Sequence, residues 1–185
     1  MLRPNTDGNI SDPLRLKCYV DAAYLSHSDA SSHTGYCISL GTSEGCFYSK
    51  SQKQKLIATS STHAEIRALY ELTINLFLTH LFTEIGRPIE LPIIVFEDNQ
   101  PTIDLVENES SKSTKSKHYL MIIQFLREQV KEGLFKLKKI GTAQNVSNVL
   151  TKIVTGGEFH SSFAIIMGQK EIAYSDIEQK VAPHT

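Results

Sequence analysis

Pro92-Ile93-Ile94-Val95-Phe96-Glu97-Asp98-Asn99-Gln100-Pro101 decides the fold. Ile93 to Phe96 is a near-continuous apolar run of strand length, as required of a strand covered on both faces. Strands of that kind run parallel to a neighbour, with helices packed on the sheet, so the run predicts an α/β domain. The run stops at two acids. In open α/β sheets the carboxyl ends of the strands form the edge where ligands collect, which makes Asp98 a candidate site residue. Pro101 then opens a short helix through Ile103 and Val106, since proline is tolerated in a first helical turn.

Working outward toward the N-terminus, residues 16–21 alternate: Leu16, Cys18 and Val20 on one face, Lys17, Tyr19 and Asp21 on the other. This predicts a strand with one face on a core, closed by Asp21. Thr34-Gly35-Tyr36-Cys37-Ile38-Ser39-Leu40, a Gly-Thr-Ser-Glu-Gly loop and Cys46-Phe47-Tyr48-Ser49 read as a hairpin. Together these form a three-strand antiparallel meander. A long helix follows, with Ser60, Ser61 and Thr62 as possible N-caps and Gly86 then Pro88 as its stop. At about 100° per residue, Glu65 falls in the same narrow sector as Ala68, Leu69, Leu72 and Leu76, while His63 points to the opposite, solvent side.

Toward the C-terminus, Tyr119, Ile122, Ile123, Leu126 and Val130 repeat at helical spacing until Gly133. Leu134-Phe135-Lys136-Leu137-Lys138-Lys139-Ile140 reads as a lysine-bearing strand suited to a sheet edge. Residues 145–152 read as a short helix, and an amphipathic stretch lies near residues 163–167. The division expected is a loose polar leader (1–14), one α/β domain (15–152) and a helical extension with a polar tail (153–185).

A chain of 185 residues suits one core plus tails. Its net charge of -1 and pI near 6.7 give no global pull toward nucleic acid, so such binding must come from local basic clusters. Those are Lys50, Lys53 and Lys55, and Lys112, Lys115 and Lys117; they suit phosphates, although loop lysines are commonly just solvated. Cys18, Cys37 and Cys46 form no Cys-x-x-Cys pair and read as buried thiols of a reducing compartment. The start of the chain lacks the pattern of a signal peptide and no segment suits a membrane. The expected location is intracellular, cytoplasmic or nuclear.

Asp21, Glu65 and Asp98 sit where apolar segments would place apolar or neutral residues. A carboxylate at the edge of a core is costly unless something binds it, and a fold joining the three makes a pocket suited to divalent cations. Taken singly, Asp21 also suits a turn and Asp98 a helix N-cap.

Tyr19-Val20-Asp21-Ala22, Thr34-Gly35-Tyr36, Ser51 with Lys53-Gln54, Ser60-Ser61-Thr62 with Ala64-Glu65, and Glu97-Asp98-Asn99-Gln100 come in order along the chain. Lys117-His118, Arg127-Glu128, and Thr142 with Asn145 and Leu150-Thr151-Lys152 follow. In order and spacing, over residues 16–152, they resemble the ribonuclease H domain of copia-type retrotransposon polyproteins. The resemblance implies a ribonuclease H-like fold, a five-stranded mixed sheet flanked by helices. It implies cleavage of the RNA strand of an RNA/DNA hybrid with two Mg²⁺ ions, for which Mn²⁺ substitutes. Asp21 would bridge both ions, Glu65 and Asp98 would complete the site, and position 148 would help hold the ion that prepares the water. Ser61, Asn99, Gln100, Lys53, Lys117 and His118 become candidate substrate-binding residues. An RNA/DNA hybrid or other nucleic acid is the implied partner, with a reverse transcriptase domain acting in trans as a second.

The departures bear on activity. Where the family has Asn-x-Ala-Asp, this chain has Asn145-Val146-Ser147-Asn148, so the fourth carboxylate is an amide, which ligates without charge. His63 and Ala23 replace acids, and Ser113 and Gln124 stand where histidines are frequent. Two function classes stay open: a metal-dependent hybrid ribonuclease, and a nucleic-acid-binding or interaction module, or a relic, that keeps the fold without turnover. Asn148 separates them.

Overall fold

The computed structural model describes residues 13–40, 45–108 and 117–169. The expected leader (apart from Pro13 and Leu14), the tip of the hairpin loop, the Ser/Lys-rich loop with Lys112, Ser113 and Lys115, and the polar tail lie outside the described residues. Five strands form one mixed sheet: β1 (Leu16–Ala23), β2 (His33–Leu40), β3 (Cys46–Lys53), β4 (Ile93–Glu97) and β5 (Phe135–Lys139), in the order β3-β2-β1-β4-β5. β1, β2 and β3 are the antiparallel meander, and β1–β4 and β4–β5 pair parallel. β5, with its lysines, is an edge strand as expected. Leu14, placed in the leader from sequence, bridges Ile89 and so lengthens the β1–β4 junction.

β1 departs from its reading. It lies at the centre of the sheet and both of its faces are covered, not one. On the first face Leu16, Cys18 and Val20 join Ile93, Val95, Phe135 and Leu137 beneath the helices α1 (Ser61–Asn75), α3 (Gln100–Glu107) and α4 (Lys117–Lys131). On the second, Tyr19 stacks on Phe96 at 4.9 Å between ring centroids and packs with Cys37, Ile140 and Val146. That face is covered by a 3-10 turn (Val146–Leu150) and by α5 (Gly156–Ile166), which supplies Ile165. The turn is where a short helix was expected. Two buried layers explain why even Lys17 is 8% exposed.

Ser60 is the N-cap of α1, its hydroxyl accepting from the His63 N–H. Gln54, buried just after β3, donates to Thr34 Oγ1 and to the Ala64 carbonyl, and so ties the meander to the first turn of this helix. The expected single helix to Gly86 is two: α1 ends at Asn75 and α2 (Leu78–Glu84) follows a tight turn. The turn is closed by bonds from residue 76 to 73 and from 79 to 76. Thr73, Asn75 and Thr79 each donate a side-chain bond to a local carbonyl, a competition with the helical ladder that three such residues within a few positions bring. Gly86 and Gly133, both at φ +75°, end α2 and α4 in the left-handed conformation. The Arg127 guanidinium donates to the carbonyls of Leu105 and Asn108 and so fixes α4 to the end of α3. Cys18 and Cys37 are buried free thiols, and Cys46 is half-buried. Among the described residues no helix is long and apolar enough to cross a membrane.

Leu69 is 0% exposed between α1 and the sheet, whereas Ile74 on the same helix is 47% exposed. Urea denaturation is expected to show Leu69→Ala losing about 2–5 kcal/mol of stability. Ile74→Ala should stay within roughly 0.5 kcal/mol, the usual range of surface changes.

Candidate metal centre

Each acid of the expected trio reaches the same point by a different route. Asp21 lies in β1, opposite Gly35 of β2, and is 3% exposed. Gly35 has no room for a side chain: an added Cβ would stand 2.5 Å from Thr151 Cγ2 and 2.8 Å from Leu150 Cβ. The 3-10 turn therefore lies directly on the sheet beside Asp21. Asn145 holds it there, its buried amide donating to the Val20 carbonyl at 2.7 Å, and Ser51 of β3 donates to the Leu150 carbonyl at 2.7 Å. Glu65 comes down from the second turn of α1, 5% exposed. Asp98 follows β4 directly and is half-buried. One oxygen of each of the three carboxylates lies within 4.8 Å of the others.

Their electrostatics follow from that crowding. Burial pushes the Glu65 carboxyl well above its usual range; the charges of Glu97, then Asp21 and Asp98, push the same way, and Lys152 opposes them. Burial also raises Asp21, against the hydroxyl of Thr151, which donates to its Oδ2, and against Lys152, whose Nζ is 4.0 Å from the same oxygen. The Lys139 ammonium donates to the Asp98 main-chain carbonyl. Glu65 Oε2 is buried with no hydrogen-bond partner. A hard-oxygen donor set with a buried orphaned acceptor fits a divalent cation such as Mg²⁺.

Asn148 is 1% exposed, and its amide nitrogen donates to the Thr142 carbonyl at 2.6 Å and to Glu158 of α5 at 3.5 Å. Its Oδ1 is buried without a partner. Thr151 and Lys152, from the same segment, are the residues that touch Asp21.

The expected substrate residues divide into two groups. Ser61 is exposed one turn ahead of Glu65, while Asn99 and Gln100 follow Asp98; Asn99 is the N-cap of α3, and Gln100 donates to Asp104. These three are neighbours of the trio in the chain. Lys53, at the end of β3, is paired with Asp29 at 2.6 Å, and Lys50 lies 3.5 Å from Glu71 and over the Tyr36 ring. Lys117 and His118 are exposed at the start of α4. His63 faces solvent only in part: it is half-buried, its ring stacks on Tyr119 at 4.0 Å and its Nδ1 meets Thr59 Oγ1 at 2.5 Å. That stack places the start of α4, with Lys117 and His118, beside the first turn of α1.

Three residues had no site role from sequence. Thr151 and Lys152 bear on Asp21, a relation between segments far apart in the chain. Glu97 is wholly buried, and its carboxyl is raised to about 8, mainly by burial and further by Asp98 and Asp21. Alternation along β4 was the available signal, since it puts Glu97 on the covered face with Ile93 and Val95.

No family model matches the chain. Over 151 residues, 80% of this chain, it is 34% identical to the Retrovirus-related Pol polyprotein from transposon TNT 1-94 of Nicotiana tabacum, covering 11% of that protein. It is 31% identical over 141 residues, 75% of this chain, to the Retrovirus-related Pol polyprotein from transposon RE2 of Arabidopsis thaliana, covering 10% of it. The chain thus spans about a tenth of the length of these curated relatives. LC11-RNase H1, isolated from compost by a metagenomic approach, matches with a TM-score of 0.56 at 13% identity, over 74% of this chain and 92% of that one. The same protein in complex with RNA/DNA hybrid matches at 0.53 and 14% identity, over 74% of this chain and 94% of that one. At such identities the likeness establishes the fold, and the five-stranded mixed sheet with its helices is the ribonuclease H fold.

Two outcomes are expected of the site. Raised folded-state values mean that the native protein binds more protons than the unfolded chain at pH values above the unfolded values, about 4. Stability due to these acids is therefore full below about pH 4 and is lost as pH rises through the folded values, Glu97's being about 8. His33 and His63 are lowered by burial and act in the opposite sense near neutrality, so the readout is a difference between proteins. In EDTA the melting temperature of Glu65→Gln should overtake that of the parent progressively from pH 5 to pH 8; parallel profiles would contradict the reading. Gly35→Ala should lose about 1–3 kcal/mol in urea, because its methyl overpacks against Thr151 and Leu150.

Proposed function

We propose that this chain, a homologue of copia-type retrotransposon Pol polyproteins with the ribonuclease H fold, is a ribonuclease H-type endonuclease that cuts the RNA strand of RNA/DNA hybrids. The observation that carries this reading is the convergence of Asp21, Glu65 and Asp98, two of them buried, at the carboxyl edge of the sheet. Those three residues would hold two Mg²⁺ ions, or Mn²⁺ in their place, and Asn148 is the remaining candidate ligand through Oδ1. When bound, such a pair activates a water and stabilises the leaving oxygen of a phosphodiester.

The protein's own part is to hold acids and substrate in place. Thr151 fixes one oxygen of Asp21, and Lys139 fixes the main chain at Asp98. Ser61, Asn99 and Gln100, chain neighbours of Glu65 and Asp98, are the proposed contacts to the sugar-phosphate backbone. Lys117 and His118, exposed beside α1, and Lys53 extend the surface available to phosphates. With a net charge of -1, binding depends on such local groups, and affinity should fall steeply with salt. A reverse transcriptase supplied in trans is the proposed protein partner.

The rival reading, a module that binds hybrid without cutting, draws on Asn148, whose amide nitrogen is committed to Thr142. The deciding experiment is cleavage of a labelled RNA/DNA hybrid in Mg²⁺ and in Mn²⁺. The parent is expected to cut and Asp98→Asn to be inert. Asn148→Asp should gain up to about 100-fold in rate, some 3 kcal/mol of barrier. The same change should cost about 1 kcal/mol of stability by removing the Thr142 bond. Hybrid binding by the parent without cleavage, with cleavage appearing only in Asn148→Asp, would establish the rival.

A further inference from the structure

Ser51 closes a row of three residues across the sheet. Asp21 of β1 lies opposite Gly35 of β2, which lies opposite Ser51 of β3. The 3-10 turn sits over Gly35 and is gripped from both sides: the Thr151 hydroxyl donates to Asp21 Oδ2, and the exposed Ser51 hydroxyl donates to the Leu150 carbonyl at 2.7 Å. The next row on the same face is Ala23, His33 and Lys53. From it the His33 ring reaches diagonally, its Nε2 2.8 Å from Ser51 Oγ, while its Nδ1 meets His27 Nε2 at 2.9 Å. His27 belongs to the connection between β1 and β2, held by bonds from its N–H to the Ser31 carbonyl and from the Ala30 N–H to its own carbonyl.

The carbonyl at the end of this chain of bonds orders its protons. A carbonyl only accepts, so the one proton of Ser51 is committed to Leu150, and the Ser51 oxygen must accept from His33 Nε2–H. In a neutral His33 ring Nδ1 is then bare and accepts from His27 Nε2–H. An exposed serine alone is free to turn its hydroxyl to water; with His33 donating to its oxygen, the hydroxyl points at Leu150. One added proton leaves every link in place, because the charged ring donates to the neutral one and His33 keeps its Nε2–H. A second does not fit, since both facing nitrogens would carry hydrogens and like charges would stand 2.9 Å apart. The other charged groups around His33 are Asp21 of β1, Lys53 of β3 with its partner Asp29, and Lys152 after the turn. Burial, and then the charge of His27, hold the His33 ring below the usual histidine range. Stability owed to the neutral ring is therefore full above about pH 6.5 and is lost as pH falls through the folded value.

We propose that His33 is a positioning residue of the acidic centre: it aims the Ser51 hydroxyl at Leu150 and so keeps Thr151 on Asp21, for as long as His27 and His33 carry no more than one positive charge between them. Its bearing on cleavage rests on the reading of Asp21 as a metal ligand; its hold on the turn does not.

The test is amide hydrogen exchange of the full chain in EDTA, read as protection relative to free peptide at the same pH. It is followed at Thr151 and Lys152, whose N–H groups donate to the Asn148 carbonyl, and at Leu69 in α1 as the reference. Near neutral pH, His33→Leu and Ser51→Ala should each lower protection of the turn about fivefold, the worth of one hydrogen bond, with Leu69 unchanged. The double variant should lose no more than either single one, since both act through one bond. His33→Gln, whose amide nitrogen takes the place of Nε2, should keep parental protection; His33→Asn, whose amide reaches only the place of Nδ1, should not. As pH falls from about 7 to about 5, the range in which a histidine pair fills, protection of the turn should drop in the parent and hold in His27→Leu, where a lone His33 cation still donates to Ser51. Additive losses, parental protection in His33→Leu, or the same pH response in the parent and His27→Leu each overturn the proposal. Hybrid cleavage is measured on the same proteins. A parent that cuts no faster than a His33→Leu protein with a loosened turn overturns the positioning role, whereas a parent that exchanges as expected and does not cut overturns the proposed activity and leaves His33 its hold on the turn. Should His33→Leu not melt cooperatively, His33→Gln against His33→Asn decides, and equal protection in those two overturns the proposal.

Discussion

Parallel pairing of β1 with β4 places the site. Their register runs Lys17 with Ile94, Cys18 with Val95 and Tyr19 with Phe96, and carrying it two residues further sets Asp21 level with Asp98. An antiparallel pair would have sent the two strand ends to opposite edges of the sheet. The meander completes the arrangement. Because β2 reverses and β3 reverses again, β3 ends at the same edge as β1, and the crossover helix α1 must begin there. Glu65, near the start of that helix, is thereby delivered to the end of β1, although the chain between them covers two further strands. The convergence of three acids thus follows from strand direction, before any side-chain contact is considered.

Holding three acids within 4.8 Å of one another needs partners, and those partners come from the last third of the described chain. Asn145 anchors the 3-10 turn to Val20, Gly35 lets it approach, and Thr151 then bonds Asp21. Lys152 adds a positive charge at 4.0 Å from a side chain that is 42% exposed, a geometry in which solvent screens most of the attraction. Compensation is therefore partial. Metal-free protein carries the remaining repulsion, and any ion that binds the native site and not the unfolded chain recovers it as stability.

Much of this was legible in sequence where one element carried its own signal. The stripe of α1 names Glu65 because four apolar neighbours at helical spacing leave no other direction for it. The apolar run of β4 and the lysines of β5 announce their positions in the sheet. Most of what escaped depended on contacts between distant segments. β1 read as half-buried because the cover of its second face, Val146, Leu150 and Ile165, is spread over a short turn and part of a helix, too sparsely for periodicity. His63 read as solvent-facing because nothing local reveals that Tyr119 stacks on it. The break between α1 and α2 lies in side-chain bonds of Thr73, Asn75 and Thr79, which are permissible in a helix and become decisive only together. Thr151 and Lys152 reach Asp21 by folding alone.

Asn148 carries the tension between anchor and ligand. An amide can donate to the Thr142 carbonyl and reach toward Glu158; a carboxylate in the same position would face an acceptor with an acceptor. An aspartate there would have to turn away, releasing the link between the 3-10 turn, Thr142 and α5 as it gained a charge. The amide strengthens the wall of the site at the expense of its field.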